Sequence, residues 1–322
     1  MTETYSRRLF LEAASWMSSH YPAVAGGLLT TDPGDEDLVR VAEEVLGRYA
    51  AKTGAAPSAF HRGLEAVATL SFDFLRMQSR FMKTGSYRSS QAAQILEGVY
   101  LDAQKMEGAY LDGLLLTYAF WPNHARILKL YLETFLPGLP AECRLLEIGV
   151  GHGLMAVLAL DRLQDCRYMG LDISPYSIRY TREFLASAAL LTDRVVLVCQ
   201  DVGAGLPPAP PPTQPAATSP QAASGWDALL CCEVLEHVEQ PDHLLSAVRQ
   251  ALRPGGSAFV STVANIEAED HIFRFENVDH IHRLVTAAGL HVRFEQVMPL
   301  KGFESAGERV PLNYAAVVDR IE

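Results

Sequence analysis

Between Glu147 and Gly153 the chain reads Glu-Ile-Gly-Val-Gly-His-Gly. Glycines at alternate positions (Gly149, Gly151, Gly153) let a backbone turn tightly and come close to a ligand, at a helix start whose N–H groups face outward. Carboxylates follow at spaced intervals. Asp172, followed by Ile173, stands about twenty residues on, where a carboxylate can accept both hydroxyls of a ribose. Asp201 and Val202 stand after a third apolar run, where a carboxylate or a backbone neighbour can meet an adenine amino group. A third group, Cys-Cys-Glu-Val-Leu-Glu-His-Val, brings Glu233, Glu236 and His237 together. An imidazole titrates near neutrality, so His237 is the candidate general base of the chain.

These residues need elements that hold them at one edge. From residue 144 onward short apolar runs alternate with helical stretches. Residues 144–150, 168–173, 195–202, 226–234 and 256–263 read as strands. Residues 153–163, 176–190, 243–252 and 278–290 read as helices. Residues 291–300 and 313–322 suit a terminal antiparallel hairpin. Alternation of this kind predicts a mostly parallel, Rossmann-like α/β sheet, with each candidate residue at the carboxyl end of a strand, where ligands of such sheets bind. The first 140 residues read differently. Leu38, Val41, Ala42, Val45 and Leu46 repeat at helical spacing, as do residues 58–80, and a stripe of Ala93, Leu96, Val99 and Tyr100 predicts one helix over 89–117. The expected organisation is an all-helical region 1–140, which caps the substrate site and could pair two subunits, followed by an α/β domain 141–322. Seven prolines between 206 and 220 mark a loop insertion at 206–224, since proline fits neither a helix interior nor a central strand.

The glycine spacing excludes the dinucleotide fingerprint, whose third glycine would fall at Leu154. The ordered set Leu-Leu-Glu-Ile-Gly-Val-Gly-His-Gly, Met-Gly-Leu-Asp-Ile-Ser, Cys-Gln-Asp-Val, Glu-Val-Leu-Glu-His-Val and Leu-Arg-Pro-Gly-Gly-Ser-Ala-Phe-Val-Ser-Thr resembles class I S-adenosylmethionine-dependent methyltransferases. That resemblance covers residues 143 to about 322 and implies a seven-stranded sheet. It implies that Gly149, Gly151 and Gly153 embrace the methionine end, with Glu147 before them and Glu233 after the fourth strand. Asp172 and Ile173 would take the ribose, Asp201 and Val202 the adenine. Arg253-Pro254-Gly255-Gly256 would form the turn before the fifth strand. Glu233, Glu236, His237 and His271 resemble the metal set of small-RNA 3′-end methyltransferases, and could hold Mg²⁺, Mn²⁺ or Zn²⁺ to acidify an acceptor hydroxyl. Glu-Val-Leu-Glu-His-Val also resembles ubiquinone-pathway O-methyltransferases.

Methyl transfer requires alignment and removal of one proton, so the acceptor is the least constrained part of the reading. The aromatic run containing Tyr110, Tyr118, Phe120 and Trp121, ending at His124, suits a lid over a small acceptor, such as a specialised metabolite. Oxygen, nitrogen and carbon acceptors all remain open. A net charge of −11 disfavours nucleic acid as a partner. Five cysteines without paired spacing fit a reducing, cytoplasmic setting. The N-terminus lacks a signal-peptide core, and no apolar run is long enough to span a membrane. Two other readings are an NAD-dependent oxidoreductase and a methyltransferase-like binding subunit without turnover.

Overall fold

The structure is a computed structural model and describes residues 7–25, 31–54, 56–87, 92–211, 225–303 and 307–321. Its first part is helical: α1 (Arg8–His20), α2 (Pro22–Ala25), α3 (Glu36–Lys52), α4 (Pro57–Thr84), α5 (Ala92–Ile95), α6 (Ala103–Lys105), α7 (Leu111–Phe120) and α8 (Pro122–Leu130). Asp35 caps α3 by accepting from the Leu38 N–H, and Pro57 opens α4 where no intrahelical N–H is needed. The stripe of α3 is buried as its spacing predicts.

The single helix expected over 89–117 is broken instead. After α5, residues Leu96–Tyr100 and Met106–Tyr110 are π-helical, and between them Asp102 stops the chain and caps α6 through the Lys105 N–H. Gly98 and Gly108 lower helix propensity inside both wide turns, and a side-chain cap in mid-stripe outweighs the periodicity. Residues 88–91 lie outside the described residues.

From residue 144 the chain forms β1 (Arg144–Ile148), α9 (Leu154–Arg162), β2 (Arg167–Asp172), α10 (Pro175–Ser187), β3 (Val195–Cys199), β4 (Trp226–Cys232), α11 (Pro241–Ala251), β5 (Leu252–Ala264), α12 (Val278–Ala287), β6 (His291–Pro299) and β7 (Leu312–Asp319). The strands make one sheet in the order β3-β2-β1-β4-β5-β7-β6. The first five run parallel; β7 lies antiparallel between β5 and β6, so the expected terminal hairpin is present. Every residue of β1 is buried, as a central parallel strand covered on both faces requires. Arg253-Pro254-Gly255-Gly256 is absorbed into an early, irregular part of β5 rather than forming a separate turn. The register with β4 shifts between Trp226 and Ala228 to take up the proline and glycines. The proline-rich loop falls largely outside the described residues.

The helical region and one face of the sheet share a core. Tyr131 and Phe135 meet Phe259 of β5 at ring distances of 5.4 and 5.6 Å. Phe135 and Phe259 are fully buried, each contributing about 1.5–3 kcal/mol by leaving water. The other face is covered by α11 and α12, through Leu245, Val248, Ile281 and Val285. The carboxyl ends of β1 and β4 open onto a space lined by α4, α7 and α8. No helix among the described residues is long and apolar enough to cross a membrane.

Candidate active site

The three glycines after β1 do different work. All have positive φ (72°, 49° and 69°), which disfavours any side chain. A Cβ on Gly149 would stand 2.7 Å from Val234 Cγ2, and one on Gly153 would stand 2.8 Å from Thr181 Oγ1 and 3.1 Å from Thr181 Cα. Those two glycines let β4 and α10 pack closely. A Cβ on Gly151 would meet nothing within 4 Å. Gly151 is thus the point where the backbone faces open space.

The Gly151 N–H donates to Asp172 Oδ2 at 2.8 Å, and the Ser174 N–H donates to Asp172 Oδ1 at 2.8 Å. Burial pushes the Asp172 carboxyl up to about 6, against the pull of those two N–H donors, so it is mainly ionised at neutral pH. The Ser177 side chain is a third hydrogen-bond partner, so one of the four lone-pair sites of the carboxylate is left for a further hydroxyl. Glu147, at the end of β1, is 3% exposed and accepts from the Tyr168 hydroxyl at 2.6 Å. Burial drives it up to about 8 despite that hydrogen bond.

A cavity of about 1030 Å³ begins at Glu147, Gly149 and Gly151 and runs under the helical region. Glu233, Glu236, His237 and His271 line its floor; Tyr110, Tyr118, Trp121 and His124 line its roof. Glu233 adopts φ 51°, a strained value for a side chain of its length. Among the described residues, Glu233 Oε1 and Glu236 Oε1 are buried without a hydrogen-bond partner. Glu236 Oε2 accepts from the Thr262 hydroxyl at 2.7 Å. Burial first, and then the neighbouring Glu236 charge, hold the Glu233 carboxyl well above the usual range.

The imidazoles are oriented by acceptors. His237 Nδ1 lies 2.8 Å from the Asp270 carbonyl, and His271 Nδ1 lies 3.0 Å from the Ile266 carbonyl. A carbonyl only accepts, so each Nδ1 carries the proton and each Nε2 offers a lone pair. His237 Nε2 is 4.0 Å from Glu236 Oε1. Burial disfavours the His237 cation, but the Asp270 and Glu236 charges outweigh it and raise the group above its ordinary value. Burial, followed by the His237 charge, lowers His271.

The sequence-derived residues separate into groups. Glu236, His237 and His271 bring ligand atoms within 4.8 Å of one another. Glu233 falls outside that group; its Oε2 lies instead 4.0 Å from His124 Nε2. The 3-10 turn Leu235–His237 separates the two carboxylates. Phe120 does not line the cavity, because the last turn of α7 points it at Phe10, 6.2 Å away. Asp172, Ile173, Asp201 and Val202 stand at the ends of β2 and β3 beyond the cavity wall, and Asp201 accepts from the Gly203 N–H at 2.8 Å. Three contributors had no assigned role in the sequence reading: Tyr100, His124 and Asp270. His124 Nδ1 lies 2.8 Å from Thr117 Oγ1, whose own proton goes to the Leu114 carbonyl. Burial lowers His124 to about 3, leaving it neutral. Its place at the end of the aromatic run was the available signal.

Residues 146–258 match a family model described as a methyltransferase domain. The chain is similar to a ubiquinone biosynthesis O-methyltransferase of Idiomarina loihiensis, with 24% identity over 214 residues, 60% of this chain and 80% of that protein. The chain thus carries a methyltransferase domain on the class I S-adenosylmethionine-dependent fold. A second relative of the same description, from Xylella fastidiosa, is 32% identical over 120 residues, 37% of this chain. Of that relative the match spans 42%, so the likeness there is confined to less than half its length. Phosphoethanolamine N-methyltransferase 2 of Haemonchus contortus shares the fold, with a TM-score of 0.51, 14% identity, and coverage of 72% of this chain and 60% of that one. In this methyltransferase the donor site fits its group: Gly151 leaves a cradle that a side chain would fill, beside an ionised carboxylate with room for a further donor.

Proposed function

We propose that the chain transfers a methyl group to a hydroxyl oxygen of an enclosed small molecule, a specialised metabolite with an aromatic or apolar body; nitrogen and carbon acceptors use the same geometry. The observation that carries this reading is the continuity of one cavity from the open face of Gly151 to His237. S-adenosylmethionine, when bound, supplies an electrophilic methyl on sulfur. The chain's own residues do the remainder. Gly151 and Asp172 hold the donor, with Ile173, Asp201 and Val202 set for its adenosine end. Leu70, Phe74, Leu114, Trp121, Ile266 and Leu300 give the cavity an apolar wall that excludes water. His237, with its Nδ1 proton fixed on the Asp270 carbonyl, presents Nε2 to take the acceptor's proton.

A second reading uses the same imidazole as a metal ligand. Two unpartnered carboxylate oxygens and two Nε2 lone pairs at one end of a cavity suit a divalent cation. Glu236, His237 and His271 would hold the ion, each imidazole braced by a carbonyl on Nδ1, and Glu233 would complete the set by a side-chain rotation. A bound ion would acidify an acceptor hydroxyl.

On either reading residues 1–140 act as a cap on the domain 141–322, in a cytoplasmic enzyme whose helical surface suits a homodimer. The net charge of −11 supports a partner other than nucleic acid. The test is transfer of labelled methyl from S-adenosylmethionine to a panel of phenols, catechols and amines, with and without EDTA. Turnover insensitive to EDTA supports His237 as base; turnover abolished by EDTA and restored by Mg²⁺ or Mn²⁺ supports the metal. Tight donor binding with no turnover on the panel favours a binding subunit, and turnover of NADH would favour an oxidoreductase.

A further inference from the structure

One stretch of the helical region, Ala92–Tyr110, reaches both ends of the site. At the donor end the Ser174 hydroxyl donates to the Tyr100 carbonyl at 2.7 Å, two residues beyond Asp172. At the acceptor end Tyr100 and Tyr110 both donate to Asp270 Oδ2, at 3.2 and 2.7 Å. The Tyr100 hydroxyl also stands 3.1 Å from His237 Nδ1. On the outer rim Lys105 Nζ pairs with Glu269 at 2.5 Å. Beneath this stretch Asp172 is only 8% exposed. Tyr100 thus packs on the loop that carries Asp172, and the Asp172 carboxylate is shut off from solvent while these contacts stand.

The stretch is also built to move as a unit. It consists of two short helices and two π-helical turns, with Asp102 as a stop between them. Wide π turns and short helices give up backbone hydrogen bonds at less cost than a continuous helix. Its polar contacts to the α/β part go to Ser174, His237, Glu269 and Asp270, all beside the site, and to Arg179 of α10, which pairs with Glu107 on the outer surface.

We propose that residues 92–110 are a lid that lifts to admit the methyl donor and, on closing, fixes His237 through Tyr100, Tyr110 and Asp270. Tyr100 and Tyr110 are positioning residues: they hold the Asp270 carboxylate, while its carbonyl holds the Nδ1 proton of His237. Closure over the donor and orientation of the catalytic imidazole are then one event. The proposal rests on the donor reading above.

The test uses the full chain with S-adenosylhomocysteine as probe. Three measurements are made on wild type, Tyr100→Phe, Tyr110→Phe, their double variant and Lys105→Ala. They are amide exchange across 92–110 with and without the probe, its dissociation rate, and the nitrogen shifts of His237, which report its tautomer. The wild type should gain about tenfold protection over 92–110 when the probe binds, as closure of a locally unstable element predicts. The double variant should lose that gain, release the probe about tenfold faster and show mixed His237 tautomers. Lys105→Ala, which removes the Glu269 pair but leaves the hydrogen bonds of Tyr100 and Tyr110 to Asp270 in place, should speed release about twofold and leave the tautomer fixed, and serves if the double variant does not fold. Exchange indifferent to the probe, or unchanged release and tautomer in the double variant, would overturn the lid. Failure of the wild type to bind the probe would overturn the donor reading, and the lid with it.

Discussion

The donor end and the acceptor end of the cavity are built on opposite principles. The donor end is local: Glu147, Gly151 and Asp172 lie within 26 consecutive residues, and their contacts are largely between backbone N–H groups and one carboxylate. The acceptor end is assembled from a distance. Tyr100 and His124 come from the helical region, Glu233 and His237 from the end of β4, and Asp270 and His271 from the loop after β5. Backbone geometry at the first end fixes one ligand shape. Side chains converging on loops at the second can be exchanged without disturbing the sheet, which is how one fold accommodates many acceptors.

Substitutions should separate the two ends, and the largest effect belongs to the acceptor end. His237→Ala should reduce methyl transfer by about 10²–10⁴-fold whether the imidazole serves as base or ligand. Affinity for S-adenosylhomocysteine should stay within a few-fold, as calorimetry would show. At the donor end Asp172→Ala should do the converse, weakening that affinity by about 2–3 kcal/mol because hydroxyls and two N–H donors lose a charged acceptor. A matched loss in both variants of both properties would erase the distinction.

Stability, rather than turnover, divides the glycines. Gly153→Ala adds a left-handed strain and a clash with Thr181, and should cost about 2–4 kcal/mol of stability in urea unfolding. Gly151→Ala carries only the strain, about 1–2 kcal/mol. Its larger consequence should be in donor affinity, since its methyl enters the cradle.

The last concerns pH and is seen only as a difference between two pH values. Glu147 is raised to about 8 in the folded chain, so between the unfolded value of about 4.3 and 8 the folded state holds a proton that the unfolded state has lost. This group's contribution therefore declines as pH rises through that window. Glu147→Gln keeps an acceptor for Tyr168 but cannot ionise. It should gain stability relative to wild type at pH 9 compared with pH 5, by about 1–4 kcal/mol. An equal difference at both pH values would mean that Glu147 titrates normally.

The same contrast governs what could be read from the sequence. Gly149, Gly151, Gly153 and Asp172 were legible because a strand, a turn and a helix follow one another and the spacing carries the geometry. Alternation pointed to a mostly parallel sheet with a final hairpin, the count of seven strands came with the resemblance, and the order β3-β2-β1-β4-β5-β7-β6 is set by tertiary packing that no local pattern carries. The acceptor end was half legible. Glu236, His237 and His271 were named, yet nothing local says that Glu233 turns toward His124, or that Asp270 both holds His237 and receives two tyrosines. Tyr100 was visible only as one member of an apolar stripe. Where Asp102 caps against that stripe, periodicity gave a continuous helix and the chain makes a broken one. Phe120 was taken with its aromatic neighbours, although one residue along α7 turns a ring by about 100° and away from the cavity.

The central claim is that the open face of Gly151 and the Asp172 carboxylate bind the methyl donor. Calorimetric titration of the wild type and Asp172→Asn with S-adenosylhomocysteine and with NADH tests it most directly. The account predicts saturable binding of the homocysteine compound, weakened by about 10–100-fold in Asp172→Asn, and none of NADH. Binding of NADH without the homocysteine compound, or equal affinity in both proteins, would contradict it.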